Sequence, residues 1–258
     1  MEKPQISRGD SRFTRRDLLR AGAATSAAVL LNRPTFGGIL MSSEKLIPAK
    51  MAADHLLLGA AVLDQAVEWF EKATGVKPVI GGVHPGRGTR NALVALGGRR
   101  YLEIIAPDPA QTTYNFQIDV RGLTEPRLIT WAAVSSDINS VAEKARAGGY
   151  QIFGPRDGSR ARPDGKLLKW KMLGVLSKFV IGNVDPIPFF IEWSADSPHP
   201  SQDSPKGCEL LSFEMAHPDS ANVAESLRKL GIESKVTQSK EARLRATLKT
   251  PKGIVELS

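Results

Sequence analysis

Beyond residue 50 the apolar positions fall into a pattern that occurs three times. His55–Gly59 is a short apolar run, which predicts a strand. Leu63, Ala66, Val67 and Phe70 follow at helical spacing, with Asp64 near the start and Gly75 as a stop, which predicts an amphipathic helix. Extended pieces are expected at Lys77–Ile80, Asn91–Leu96 and Tyr101–Ile105, parted by a Gly-rich link and the Gly97-Gly98 turn. The order is β-α-β-β-β. The second copy reads as strand Leu128–Val134, helix Ile138–Ala147 ending at Gly148-Gly149, then strands Tyr150–Phe153, Leu167–Leu173 and Pro188–Trp193. The third is tighter: strand Leu210–Ala216, helix Ser220–Leu230, and strands near Ser234–Gln238, Leu244–Lys249 and Ile254–Leu257. This predicts an α+β body of repeated βαβββ units, at 52–115, 126–198 and 207–258, with Ser197–Pro205 as a Pro/Ser-rich linker.

One position recurs against the apolar trend. Glu103 stands mid-strand in Tyr101–Ile105, Glu192 in Phe190–Trp193, and Glu256 in Ile254–Leu257. A carboxylate inside an apolar strand is costly to bury unless it meets a cation, a metal or a polar pocket. The alternative is that each glutamate lies on the solvated, period-two face of its strand.

The formal charge of +8 suggests nucleic acid at first sight, but residues 1–40 hold 7 Lys/Arg against 3 Asp/Glu and leave 28 against 24 beyond them. The body is only mildly basic and carries no stacked-aromatic motif, so no nucleic-acid partner is expected. The single cysteine, Cys208, excludes an intramolecular disulfide and a Cys-based zinc cluster, and reads as a small buried residue. Residues 1–45 form a leader. Thr14-Arg15-Arg16-Asp17-Leu18-Leu19-Arg20 followed by apolar Ala21–Leu31 resembles a twin-arginine export signal. That resemblance implies export in the folded state to the periplasm or another extracytoplasmic space. The apolar stretch is short of the roughly 20 residues of a stable membrane span. The alternative is an amphipathic or disordered arm.

The run from His55 to Pro109 also resembles a known family. Its carriers are the strand start Asp54-His55, the helix Asp64-Gln65-Ala66-Val67-Glu68-Trp69-Phe70, the link His84–Leu93 and the strand Tyr101-Leu102-Glu103. Ser159–Gly165, Trp170 and Pro188-Phe189-Phe190-Ile191-Glu192-Trp193 extend the likeness over roughly residues 52–200. Together they resemble the glyoxalase-like domains of the vicinal oxygen chelate superfamily. The resemblance implies a glyoxalase/dioxygenase-like open cup of paired βαβββ units that holds a small molecule and, in many members, a divalent metal ion. Ligands in such members come from the first and last strands of each unit, which here nominates His55, Glu103 and Glu192. The fourth position, near Thr130-Trp131, offers no ligand.

His84 opens a Gly-rich link whose amides could face an oxyanion while the imidazole moves a proton; an ordinary turn with an exposed histidine is the alternative. His84 and Glu103 are thus the catalytic candidates, and Asn91, Trp131, Arg160, Arg162 and Trp170 the substrate-binding ones. The basic stretch Arg156, Arg160, Arg162, Lys166, Lys169 and Lys171 around a Pro-Asp-Gly turn could draw an anionic substrate to the cup mouth, while alternation along Leu167–Lys171 reads the lysines as a solvated strand face. His199 is assigned to the linker and His217 to a helix start. Two functions follow: an exported lyase, isomerase or dioxygenase acting on a small oxygenated molecule, or a metal-free binding protein using the same cup. The third unit either flanks the cup or pairs with its equivalent in a homodimer.

Overall fold

The computed structural model describes residues 45–161, 165 and 167–258. The paired arginines Arg15 and Arg16 and the apolar leader lie outside the described residues, as does Arg162. A strand β1 (Ile47–Pro48) and a one-turn helix α1 (Ala49–Ala52) precede β2 (Ala53–Gly59), α2 (Leu63–Thr74), β3 (Val79–His84), β4 (Thr89–Ala95) and β5 (Tyr101–Pro107). The next unit comprises β6 (Arg127–Val134), α3 (Ile138–Ala147), β7 (Ile152–Ala161), β8 (Leu167–Val175) and β9 (Phe189–Trp193). A short α4 (Pro200–Asp203) leads to β10 (Glu209–His217), α5 (Ser220–Lys229), β11 (Ile232–Glu233), β12 (Val236–Gln238), β13 (Arg243–Thr250) and β14 (Gly253–Leu257).

Local chemistry sets the helices where the apolar spacing places them. α2 buries Leu63, Ala66, Val67 and Phe70 on one face, and the chain leaves it through Gly75 at φ 80°, whose N–H reaches Glu71 O. α3 starts at Asp137, whose carboxylate accepts from the N–H groups of Asn139 and Ser140.

Eight strands form one sheet in the order β3-β4-β5-β2-β6-β9-β8-β7. Each unit supplies four strands with its first and last side by side and parallel, and the two halves meet through the antiparallel pair β2·β6. The sheet curls into an open cup whose convex side carries α2, α3 and the main apolar core. A smaller cluster around Leu57, Ile105, Ile118, Val120 and Ile129 lies where the 108–126 connection folds over the concave side.

The third unit has the expected element sequence but another topology. Its sheet runs β12-β10-β13-β14, so β12, the second strand after the helix, lies beside the first strand, and β14 is an edge. Glu256 on β14 is exposed and meets Arg245 at 3.1 Å, so its likeness to Glu103 is one of sequence alone. This small sheet packs on the convex face through Trp131, which is fully buried, donates Nε1–H to Pro186 O at 3.0 Å and sits edge-on to Phe213 of β10 at 5.2 Å. Trp131 therefore belongs to the core and not to substrate binding, because period-two alternation turns it away from the cup. β1 pairs in parallel with β11, which ties the start of the described chain to the same unit.

Two further segments depart from expectation. β7 continues through Gly154-Pro155 to Ala161, with a register shift between Phe153 and Arg156 that absorbs the interruption. The Ser197–Pro205 segment is packed, not a loose linker: Ser197, His199, Pro200, Ser201 and Ser204 are buried, and Pro205 O accepts from Ala95 N. Trp131→Ala should lower stability by about 3–5 kcal/mol, and Trp131→Phe, which mainly loses one hydrogen bond, by about 1–2 kcal/mol, both read from urea denaturation midpoints.

Candidate functional site

The concave face encloses a cavity of about 740 Å3. Strand alternation selects its floor: His55 and Leu57 from β2, Tyr101, Glu103 and Ile105 from β5, and Thr130 from β6 all face inward. On β9 the inward residues are Phe189, Ile191 and Trp193. Trp170 on β8 lies 5.6 Å from Trp193, and its indole fits because position 158 is glycine: a Cβ there would lie 2.5 Å from the Trp170 ring nitrogen.

Glu103 is the centre of the polar groups. It is 8 % exposed, and its Oε1 accepts from Asn91 Nδ2 at 2.7 Å. His84 Nε2 lies 3.5 Å from the same oxygen, and His55 Nε2 lies 3.5 Å from the other. Arg160 reaches from β7 to donate to Asn91 Oδ1 at 3.1 Å, so its charge is relayed toward the carboxylate through one amide. Burial pushes the Glu103 carboxyl up, but His84 and His55, the Asn91 hydrogen bond and Arg160 outweigh it and hold it below the usual glutamate value. Burial pushes His84 down, with Arg160 and Arg87 adding to that and Glu103 opposing. At neutral pH the pair is a carboxylate beside a neutral imidazole, whose Nδ1 sits 2.8 Å from the Thr89 hydroxyl.

Behind His55 lies a group that sequence patterns missed. Asp54, 1 % exposed, meets His55 Nδ1 at 2.7 Å through Oδ1, while Oδ2 accepts from Trp193 Nε1 at 3.0 Å and His199 Nε2 at 3.1 Å. Strict alternation would send Asp54 away from its neighbour, but the β2·β6 register shifts between Ala53 and His55. The ring of His199 is fully buried, and its Nδ1 accepts from Ser201 N at 3.3 Å. His55 itself stacks on Tyr101 at 4.5 Å, so its ring is fixed on both edge and face. The available signal was Asp-His at a strand start; nothing in the local composition around His199 distinguishes it from a linker histidine.

His55, His84, Glu103, Asn91, Arg160 and Trp170 thus come together, whereas Trp131 and Glu192 do not. The Glu192 carboxylate accepts from Ile138 N at 2.6 Å, at the start of α3 on the convex side. It serves as a helix cap because inward positions on β9 alternate with it. The residues do not fit the expected chelate: of His55, Glu103 and Glu192 only two share the cup, and among the described residues no group of three or more His, Cys, Asp or Glu side chains is arranged to hold an ion. The Gly-rich link is not an oxyanion cradle either. Gly86 N and Gly88 N both donate to Gln111 Oε1, at 3.0 and 3.2 Å, which spends the amides that an oxyanion would need.

A concave sheet of two fused βαβββ halves with a carboxylate on its floor defines the vicinal-oxygen-chelate type of cup. Residues 53–231 match the family model described as "Glyoxalase-like domain", and the chain belongs to that family. No curated protein matches it. Among solved structures it is similar to a hypothetical protein from Staphylococcus aureus, with 14 % identity over 80 % of this chain and 98 % of that one and a TM-score of 0.60. Methylmalonyl-CoA epimerases from Streptomyces coelicolor, in complex with 2-nitronate-propionyl-CoA, and from Mycobacterium tuberculosis are each 18 % identical. They match over 58 % and 60 % of this chain and 99 % and 92 % of theirs, with TM-scores of 0.41 and 0.38. At these identities the likeness to the S. aureus structure speaks for the fold alone. Among the described residues no helix is long and apolar enough to cross a membrane.

Two buried aspartates have opposite effects on stability. Burial pushes Asp54 up, but the hydrogen bonds from His199 and His55 overcome it and bring its pKa from 3.8 to about 2. Asp185, on the cavity wall, is raised from 3.8 to about 6 by burial, against hydrogen bonds from Ser177 and from Ile187 N. A depressed carboxyl stabilises the fold above pH 3.8 and loses that contribution as pH falls toward 2. A raised one costs stability progressively as pH rises from 3.8 through 6. Asp54→Asn should therefore lower stability at pH 7.5 by about 2 kcal/mol. Asp185→Asn should raise it by up to about 3 kcal/mol, with the gain shrinking toward pH 4. Thermal denaturation across pH 4–8 checks both signs.

Proposed function

We propose that this glyoxalase-like cup is the active site of a proton-transfer enzyme, of the isomerase or lyase class, acting on a small oxygenated molecule. The observation that carries this reading is Glu103: a carboxylate kept ionised on the floor of a cavity, with an imidazole 3.5 Å from each oxygen. Such a group can take a proton from a carbon next to a carbonyl. His84 is neutral and can accept that proton from Glu103 or return it to the other face of the substrate. Asp54 holds the His55 ring through Nδ1, so that Nε2 faces Glu103 at 3.5 Å. Both imidazoles and the carboxylate are placed for this without a metal, and the outward turn of Glu192 favours proton transfer over the dioxygenase chemistry that a chelated ion would serve. A binding protein without catalysis is the second reading, favoured by the aromatic wall of Trp170, Trp193 and Phe189. Export rests on Arg15-Arg16 and the apolar stretch after them; exchanging the pair for Lys-Lys should leave the protein in the cytoplasm.

In deuterated water, the protein should catalyse hydrogen–deuterium exchange at carbons next to the carbonyl in a panel of 2-oxo acids, aldehydes and thioesters, followed by proton NMR. Glu103→Gln should slow this at least 100-fold with the fold retained. The rate should be flat around pH 7 and fall only on an acid limb below the ordinary glutamate value, because Glu103 is held below that value. Equal rates in Glu103→Gln would remove Glu103 as the base; no exchange in the panel by the wild type would leave the binding reading.

A further inference from the structure

The side chain of Arg160 on β7, one free edge of the eight-stranded sheet, reaches across the cup to β3, the other free edge. The contact is close: a Cβ on Gly82 of β3, which has φ 142°, would lie 2.8 Å from Arg160 Nη1 of β7. Three arginines gather there from both sides. Arg160 and Arg156 stand on β7, and Arg87 stands in the turn between β3 and β4; all three line the cavity. Arg160 is occupied by Asn91. Among the described residues no carboxylate lies within ion-pair distance of Arg87 or Arg156. Arg87 is half-buried, and its pKa is lowered first by that burial and then by the charge of Arg156, against the opposing charge of Glu103. The two guanidinium groups, one half-buried and one exposed, repel one another, and Glu103 in the same cavity opposes that cost at Arg87. An anion between them would remove that cost and accept hydrogen bonds from both forks. Below the mouth the wall is apolar, with Trp170, Phe189, Leu57 and Ile105 facing one another, and a cavity of about 740 Å3 admits far more than a bare inorganic ion.

We propose that the cup takes an organic anion, a carboxylate-bearing molecule whose charged end is held between Arg87 and Arg156 at the mouth and whose apolar body lies against Trp170 and Phe189. This names the substrate class for the reading of Glu103 given above, yet it concerns binding alone, and the two fail separately. The charged end at the rim orients the body so that its oxygenated carbon faces Glu103 on the floor. Discrimination comes from the half-buried Arg87, which a neutral isostere leaves unpaired.

The test uses acetate, 3-phenyllactate, 4-phenylbutyrate and decanoate, with the methyl esters of the last three and inorganic phosphate as controls, titrated into the full chain by calorimetry and by tryptophan fluorescence. At least one carboxylate with an apolar body should bind ten-fold or more tightly than its ester, and more tightly than acetate or phosphate. Arg87→Gln and Arg156→Gln should each weaken that acid at least ten-fold and leave the ester unchanged, with unaltered thermal midpoints. Arg87→Lys should restore part of the affinity. Glu103→Gln should keep the acid affinity even if exchange activity is lost, which separates the two readings. The proposal is overturned if no acid binds better than its ester, if phosphate binds as tightly as the best acid, or if the arginine variants leave acid binding intact.

Discussion

The antiparallel pairing of β2 with β6 is the seam on which the rest of this structure depends. It joins two half-sheets into one curved surface, and it sets which side chains occupy the centre of that surface. His55 and Leu57 face the cup because of it, and Trp131 faces outward. The irregularity in the same seam, between Ala53 and His55, releases Asp54 from strict alternation and brings a second carboxylate into contact with the histidine of the floor. Two buried carboxylates within one short stretch of sheet would be ruinous if unpaired. Asp54 is satisfied by two histidines and an indole, and Glu103 accepts from the Asn91 amide with two imidazoles 3.5 Å away, so polar satisfaction and site geometry are here the same requirement.

Much of the fold could be read from the chain. The helical spacing of Leu63, Ala66, Val67 and Phe70, the Gly75 stop and the Ile138–Ala147 helix before Gly148 appear as expected, since amphipathic helices and their stops are local signals. The fused pair of βαβββ units is also what the repeat implies. The third unit shows the limit of that logic. Element order is written in the sequence, but strand neighbours depend on which edges are free once the rest has folded, and there β12 sits beside β10, the first strand of the unit.

The site was legible in part. His55, His84, Glu103, Asn91, Arg160 and Trp170 converge because they lie on inward positions of strands whose alternation the sequence carries. Glu192 misled because its sequence context imitates that of Glu103, while a shift of one residue along β9 turns it to the convex side and to the α3 terminus. Trp131 misled for the same reason. His199 and Asp54 were hidden by distance in the chain, since their partnership spans the whole first cup and rests on a packed segment that composition makes look like a linker. Arg87 stood in a loop quoted for its glycines, and its place on the same cavity wall as Arg156 follows only from the curl of the sheet.

The pairing of β1 with β11 has a bearing on how the molecule assembles. Ile47 lies beside Ile232 and Pro48 beside Glu233, so a strand made early has no partner until most of the chain has been synthesised. Trp131, likewise, has no Phe213 to cover it until the third unit arrives. Contacts of such wide sequence separation close slowly and late, and until then a tryptophan and the outer side of the central seam stand open to water. Completion of the fold therefore waits on the third unit, and a chain in which that unit has not yet docked would be the form most exposed to aggregation and to chaperones.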